Sequence, residues 1–283
     1  MAKILDGKRI AEEIKVELKL EISELKEKGI VPGLAVILVG EGVASQIYVR
    51  NKERVCEEVG IFSEVHRLAE DVEEQEILDL IAQLNADDRI HGILMQLPLP
   101  PHIDPQKILS AISPKKDVDC FHPENVGRMF LGEPRFLPCT PLGIVEILKR
   151  YGIGISGKKV IIVGRSNIVG KPLAMMMLQK NATVTMAHSK TENLKEEALR
   201  AEILIVAAGH AGLISADMIK QGAVVVDVGI NRGSDGKLSG DVDFPDVSRI
   251  AGAITPVPGG VGPMTIMSLM MNTVKSAKGI NNI

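Results

Sequence analysis

The stretch KVIIVGRSNIVGKP, residues 159–172, determines how the second half of the chain is interpreted. An apolar run of strand length leads into a glycine-rich turn, and a helix follows to about Gln179. Backbone N–H groups at such a helix start can bind a phosphate. Ser166 stands where the usual dinucleotide-binding pattern has its second glycine, and the last glycine comes one residue late. The flanking strand and helix nevertheless favour a dinucleotide-binding turn.

The next predicted strand, ATVTMA at 182–187, indicates which dinucleotide binds. NAD sites usually carry an acidic residue at the tip of this strand, where it holds the ribose hydroxyls. Here the tip reads HSKT at 188–191 and has no acid. Arg165 and Ser189, with Lys190 beside them, suit a 2′-phosphate. The sequence therefore favours NADP over NAD.

Glycine turns follow the remaining strands of this half. Apolar runs at 203–207 and 223–228 end in turns that contain Gly209 and Ile230. Such turns can approach a cofactor closely, although a glycine after a strand is often an ordinary turn. The last loop, ITPVPGGVGP at 254–263, is dense in proline and glycine. It suits close backbone contact with a flat ligand, a rigid interdomain linker, or both.

The first half of the chain alternates strands and helices. Apolar or alternating runs at 34–39, 62–68 and 92–97 predict strands, and the helical periodicity of 45–60 and 72–84 separates them. This alternation predicts a parallel α/β sheet.

The helix SQIYVRNKERVCEEVG, residues 45–60, carries a lysine on its apolar face. At about 100° per residue, Lys52 falls on the same side as Tyr48, Val49 and Cys56. A lysine in that position is costly unless another group pairs with it or uses it. The alternative is that its amine reaches water along its own stem.

Two polar residues could meet this lysine. Gln96 ends a buried strand, at the sheet edge where ligands bind, and its amide oxygen could accept a hydrogen bond from Lys52. It could equally satisfy the backbone of its own loop. Asp119, in the loop-like segment 114–127, could accept hydrogen bonds from a ligand or form an Asx-turn. His122 has no partner at metal-ligand spacing, and we predict no metal site.

Composition limits the classes of partner. The 283 residues carry a formal net charge of −3 and no long basic run, so we expect neither nucleic acid nor membrane as a partner. No run is apolar enough to span a bilayer. The three cysteines show no metal spacing and predict reduced thiols in the cytoplasm.

Eight stretches resemble one family closely, the bifunctional methylenetetrahydrofolate dehydrogenase/methenyltetrahydrofolate cyclohydrolase. They occur in the family's order and span nearly the whole chain. They are SQIYVRNK (45–52), GILMQLPLP (92–100), KDVDCFHP (116–123), PCTPLG (138–143), VGRSNIVGKP (163–172), HSKT (188–191), VDVGIN (226–231) and TPVPGGVGPMT (255–265). The family usually reads DVDG where this chain has Cys120. If that position needs a positive φ, a β-carbon there is strained.

The resemblance implies two steps on one tetrahydrofolate. A hydride passes from the methylene carbon to NADP, and water then attacks the methenyl product to give 10-formyltetrahydrofolate. It implies that Lys52 is the acid/base catalyst positioned by Gln96, that Tyr48 stacks on the folate and that Asp119 holds the pterin ring. The other residues it implies are Pro258 and Gly259 for substrate, and Gly164, Arg165, Ser166, Ser189 and Ile230 for the cofactor.

The resemblance also implies the domain organisation. We expect an α/β catalytic domain at 1–138, rejoined by the C-terminal helix at 264–283. A Rossmann-type NADP domain is expected at 139–263, with the active-site cleft between the two and a homodimer as the assembly. One alternative is a two-domain NADP-dependent dehydrogenase of a small hydroxy acid, for which we find no cationic clamp. Another is a non-catalytic NADP sensor, which leaves Lys52 without a role.

Overall fold

The computed structural model describes residues 1–233 and 236–283. The chain divides into two compact units. The six-strand unit comprises Met1–Glu12 and Thr140–Thr265, and the three-strand unit comprises Glu13–Cys139 and Ile266–Ile283. The boundaries expected from the sequence, 1–138 with 264–283 and 139–263, stay a prediction. Met1–Glu12 groups with the second half of the chain, which no local feature of the sequence indicates.

Helices and strands alternate along most of the chain. The helices are α1 (Gly7–Glu27), α2 (Val43–Val59), α3 (Glu74–Ala86), α4 (Pro105–Ala111), α5 (Pro123–Phe130), α6 (Cys139–Arg150), α7 (Gly170–Gln179), α8 (Leu194–Leu199), α9 (Phe244–Ile250) and α10 (Val261–Ile280). The strands are β1 (Lys3–Ile4), β2 (Gly33–Val39), β3 (Phe62–Leu68), β4 (Gly92–Met95), β5 (Lys159–Val163), β6 (Thr183–Ala187), β7 (Ile203–Val206), β8 (Val224–Asp227), β9 (Asn231–Arg232), β10 (Leu238–Ser239) and β11 (Ala253–Ile254).

The three-strand unit is built on a parallel sheet in the order β3-β2-β4. Every residue of the central strand β2 is buried, as expected for a parallel strand covered on both faces. The parallel α/β sheet predicted for the first half of the chain is confirmed. Because the strands are parallel, their carboxyl ends lie at one edge, and Gln96 directly follows β4 at that edge.

The six-strand unit contains a parallel sheet in the order β1-β11-β8-β7-β5-β6. After β5 the chain adds β6 on one side and then β7 and β8 on the other. The strand order therefore reverses at β5, and ligands bind in open α/β sheets at such a reversal. The glycine-rich turn of residues 164–170 begins at this point, immediately after Val163.

Two local expectations are wrong. The segment 114–127 is not a loop throughout, because α5 begins at Pro123. The His122 side chain caps this helix by accepting a hydrogen bond from Glu124 N at 3.0 Å. The dipeptide Thr140-Pro141 predicts a helix that Thr140 caps and that has proline at its first position, but α6 begins at Cys139. The Thr140 hydroxyl instead lies 3.0 Å from that of Thr265.

Cys120 stands where the family usually has glycine, and it adopts the left-handed backbone conformation that glycine favours. Its φ is +61° and its side chain is fully buried. The Sγ donates to Phe136 O at 3.3 Å. A β-carbon in this conformation costs roughly 1–2 kcal/mol, so the thiol contact and packing offset a strained backbone.

Substitutions at Cys120 should reverse the usual stability order of alanine and glycine. We expect Cys120→Gly to be more stable than Cys120→Ala by about 1 kcal/mol, because only glycine relieves the positive φ. Urea unfolding of the two variants measures this difference. The buried Cys56 of α2 is the matched control, and there alanine should be more stable than glycine by about 1 kcal/mol. The same order at both positions would show that Cys120 is unstrained.

Candidate active site

Lys52 is held on the buried face of α2. Val49, Val55 and Cys56 of the same face are buried, which confirms the predicted orientation of the helix. Tyr48, one turn before the lysine, is partly exposed. Lys52 itself is only 9% exposed, so its amine does not escape to water along its stem.

The Gln96 amide holds the Lys52 amine. Lys52 Nζ donates to Gln96 Oε1 at 2.9 Å, and Gln96 Nε2 donates to Leu97 O at 2.7 Å. The hydrogen bond expected between the two side chains is therefore present, and the amide satisfies its loop as well. Because the amide nitrogen is engaged by backbone, the amide oxygen is fixed toward the lysine.

The pKa values of the neighbouring groups reflect a shared desolvated environment. Burial lowers the pKa of Lys52, while the charge of Asp119 acts in the opposite direction. Burial raises the pKa of Asp119, opposed by the Lys52 charge. Lys52, Gln96 and Asp119 thus form one polar cluster on the three-strand unit.

Asp117, two residues before Asp119, makes the local backbone cap. Its carboxylate accepts from Phe121 N at 3.0 Å and from His122 N at 2.9 Å. It also accepts from Asn125 Nδ2 at 2.8 Å. Since Asp117 satisfies this turn, Asp119 is not the capping residue, and its electrostatic interaction is with Lys52.

Asn272 of α10 supports the cluster and was not predicted. Its Nδ2 donates to Val118 O at 2.8 Å and to Leu137 O at 2.9 Å, which fixes the residues that precede Asp119 and Cys139. Asn272 is 3% exposed on a largely apolar helix. An asparagine within a largely apolar helix indicates a buried hydrogen bond, but the sequence does not identify the carbonyls that accept it.

The glycine-rich turn of the six-strand unit forms a backbone cradle. Gly164 has a φ of +134°, and a β-carbon there would lie 2.2 Å from Ala207 O. A β-carbon at Gly170 would lie 2.2 Å from Gly164 O. Glycine is therefore required at both positions, and the packing of Gly170 on Gly164 accounts for the late last glycine. Ser166 Oγ accepts from Val169 N at 3.1 Å and closes the turn before α7.

The remaining predicted cofactor residues present exposed groups on the same unit. Arg165, Ser189 and Ile230 are all exposed. At the tip of β6, Thr191 Oγ1 accepts from His188 N at 2.8 Å, so this turn is closed by uncharged groups. A narrow backbone cradle, an exposed guanidinium and a strand tip without an acid fit a dinucleotide with an additional phosphate.

Pro258 and Gly259 lie on the six-strand unit, whereas Tyr48, Lys52 and Gln96 lie on the three-strand unit. Gly259 has a φ of +106°, and its carbonyl accepts from Lys8 N at 2.9 Å. The proline- and glycine-rich loop therefore anchors the start of α1.

The described residues show no features of a metal site or a membrane span, and their cysteines form no disulfide. No group of three or more His, Cys, Asp or Glu residues within 1–233 and 236–283 could hold a metal ion. None of the helices described there is long and apolar enough to cross a bilayer. All three cysteines are free and buried.

The six-strand unit has a parallel sheet with a dinucleotide cradle at its reversal point. The same chain buries a lysine against an amide. Together these features define a nucleotide-dependent α/β dehydrogenase. Residues 5–119 match the family model of the tetrahydrofolate dehydrogenase/cyclohydrolase catalytic domain. Residues 138–281 match that of the NAD(P)-binding domain of the same family. The chain belongs to the tetrahydrofolate dehydrogenase/cyclohydrolase family and is a bifunctional oxidoreductase and hydrolase.

Individual relatives agree over the whole length. The Bifunctional protein FolD of Moorella thermoacetica is 59% identical over 277 residues, covering 98% of this chain and 99% of the relative. The crystal structure of the bifunctional FolD enzyme from Campylobacter jejuni is 54% identical with a TM-score of 0.97, covering 99% and 100% of the two chains. The Trypanosoma brucei dehydrogenase-cyclohydrolase, complexed with NADP and an inhibitor, is 38% identical with a TM-score of 0.96, covering 100% and 99%.

Removing the Asp119 charge should lower the pKa of Lys52 further. Burial lowers the pKa of Lys52, and the charge of Asp119 is the main influence that raises it. Asp119→Asn removes this charge, so the effect of burial on the pKa increases. An NMR titration of lysine side chains labelled with ¹³C at Cε measures the change. Glu53→Gln, which removes a charge next to Lys52 on the exposed side of α2, is the control and should leave this pKa where it was. A rise in the Asp119→Asn variant would contradict the electrostatic assignment.

Proposed function

We propose that the chain oxidises 5,10-methylenetetrahydrofolate to 5,10-methenyltetrahydrofolate with NADP, and then hydrolyses this product to 10-formyltetrahydrofolate. The observation that carries the proposal is the buried hydrogen bond from Lys52 Nζ to Gln96 Oε1. Family membership supplies the reaction class, and this pair supplies the group that the second reaction needs.

NADP, when bound, supplies the acceptor for the hydride. The residues proposed to hold it are Gly164, Arg165, Ser166, Ser189 and Ile230. The relative from Trypanosoma brucei is an NADP complex, and we extend that cofactor to this chain because its β6 tip carries no acid.

The hydride step places few chemical demands on side chains. The folate nitrogen lone pairs stabilise the cation that forms, so the protein mainly has to position the substrate. We assign this positioning to Tyr48, which stacks on the folate, and to Asp119, which accepts hydrogen bonds from the pterin N–H groups. Pro258 and Gly259 complete the proposed substrate contacts.

The hydrolytic step requires a proton carrier. Burial favours the neutral amine of Lys52, which can take a proton from the attacking water and return it later. Gln96 fixes the direction of the amine, and the charge of Asp119 keeps the ammonium form accessible. A dehydrogenase of a small hydroxy acid or an NADP sensor would leave this arrangement without a role.

We further propose that the enzyme is a cytoplasmic homodimer. The three free and buried thiols are compatible with a reducing compartment. Sedimentation equilibrium measures the assembly directly, and a particle with the mass of a single chain would exclude the dimer.

Replacement of Lys52 should separate the two activities. Lys52→Met removes the proton carrier but keeps an apolar stem, so the cyclohydrolase rate should fall by at least about 100-fold, the lower end of general acid–base contributions. Appreciable hydride transfer should remain. NADPH formation and decay of the methenyl absorbance measure the two steps separately.

Lys116→Met is the control for this experiment. Lys116 is equally buried, but its amine donates to backbone carbonyls of Leu84 and Asp87. Its loss should lower stability and change both activities by the same factor. A parallel loss of both activities in the Lys52 variant would contradict the proposed role.

The β6 tip should determine the choice between NADP and NAD. Ser189→Asp places a negative charge where the 2′-phosphate is proposed to bind, and should reduce kcat/KM for NADP by at least about tenfold while affecting NAD less. Ser189→Asn has nearly the same size without the charge and should have the smaller effect. Steady-state kinetics with both cofactors test this, and equal losses for NADP and NAD would contradict the assignment.

A further inference from the structure

Two buried carboxylates lie together at the carboxyl edge of the six-strand sheet. Asp227 ends β8 and is 3% exposed, and Asp241 follows β10 and is fully buried. Within residues 1–233 and 236–283 neither carboxylate has a cationic partner. A buried charge without a counterion is expensive unless hydrogen bonds satisfy its oxygens.

Asp227 receives three backbone N–H groups. Its carboxylate accepts from Gly229 N and Asp241 N at 2.9 Å, and from Val242 N at 3.0 Å. A β-carbon at Gly240 would lie 1.8 Å from Asp227 Oδ2. Asp227 therefore fixes the backbone that carries Asp241.

Asp241 in turn joins two turns that are distant in sequence. Its Oδ2 accepts from Ala208 N at 2.7 Å and from Gly209 N at 2.8 Å, both in the turn after β7. Its Oδ1 accepts from Asn231 Nδ2 at 2.8 Å, and Asn231 begins β9 directly after the turn that follows β8. One carboxylate thus sets the separation of these two turns.

Both turns belong to the proposed cofactor site. Asp241 binds the N–H group of Ala208. The carbonyl oxygen of the preceding residue, Ala207, is the atom against which Gly164 packs. Ile230, a proposed cofactor contact, lies in the second turn and immediately precedes Asn231. A displacement of the two turns would therefore alter the cradle and the Ile230 contact together.

We propose that Asp241 is a positioning residue for the dinucleotide. It does not touch the cofactor but fixes the turn after β7 and the turn after β8 in their binding geometry, while Asp227 holds Asp241 in place. This inference rests on the proposed function, because it assumes that the glycine-rich turn binds NADP.

Four variants test the proposal. Asp241→Ala removes all three hydrogen bonds, and Asn231→Asp sets a second carboxylate against the first. The double variant Asn231→Asp/Asp241→Asn restores a donor–acceptor pair with the native net charge. Val247→Ala, a truncation in the core of the same unit, is the control for lost stability.

Two measurements distinguish positioning from general stabilisation. Fluorescence titration gives the Kd for NADPH, and hydrogen exchange of the protein without cofactor reports the amides of Ala208 and Gly209. We expect Asp241→Ala and Asn231→Asp to raise the Kd by about tenfold. Exchange at the two amides should accelerate in Asp241→Ala. The double variant should return the Kd to within about threefold of the native value.

The possible outcomes separate this inference from the proposed function. Val247→Ala should lower the unfolding midpoint and leave the Kd unchanged. A native Kd in Asp241→Ala, or a double variant no better than Asn231→Asp, would overturn the positioning role. Failure of the native protein to bind NADPH would instead overturn the cofactor assignment.

Discussion

The burial of the Lys52 amine is the constraint around which the three-strand unit is arranged. An amine taken out of water loses hydration that a single neutral acceptor replaces only in part. The structure supplies the Gln96 oxygen at 2.9 Å and the charge of Asp119 nearby. A further hydrogen bond fixes each partner in turn. Gln96 Nε2 donates to Leu97 O, and Asn272 Nδ2 donates to the carbonyl of Val118, directly before Asp119. The cluster is therefore linked to a strand end, a loop and the C-terminal helix.

The six-strand unit addresses the same physical problem with the opposite charge. Burial raises the pKa of Asp227 to about 6, against the effect of three backbone N–H groups. Asp241 is likewise surrounded by amide donors. In one unit a buried amine is held by an amide oxygen, and in the other buried carboxylates are held by amide hydrogens.

Much of the fold and part of the site could be predicted from the sequence, because those features depend on local patterns. The apolar run of β2 and the apolar face of α2 identify buried elements directly, and Lys52 and Gln96 stand out as polar exceptions within them. Short elements such as β1 and β11 have too few residues for a periodic signal, and their pairing joins opposite ends of the chain. The roles of Asn272 and Asp241 depend on which backbone groups the tertiary fold brings to them, and no local pattern encodes that information.

The division of the sequence between the two units has a consequence for synthesis of the protein. Strand β1 is made first, but its partner β11 is made only after most of the chain. The three-strand unit requires Asn272 and Ser276, which bind backbone carbonyls of Leu137 and Lys115. Neither unit can make its full set of contacts until the last helix has left the ribosome. Contacts this distant in sequence carry a large loop-closure cost and slow folding. Completion of both units therefore waits for α10, which is made after every described strand of the two sheets.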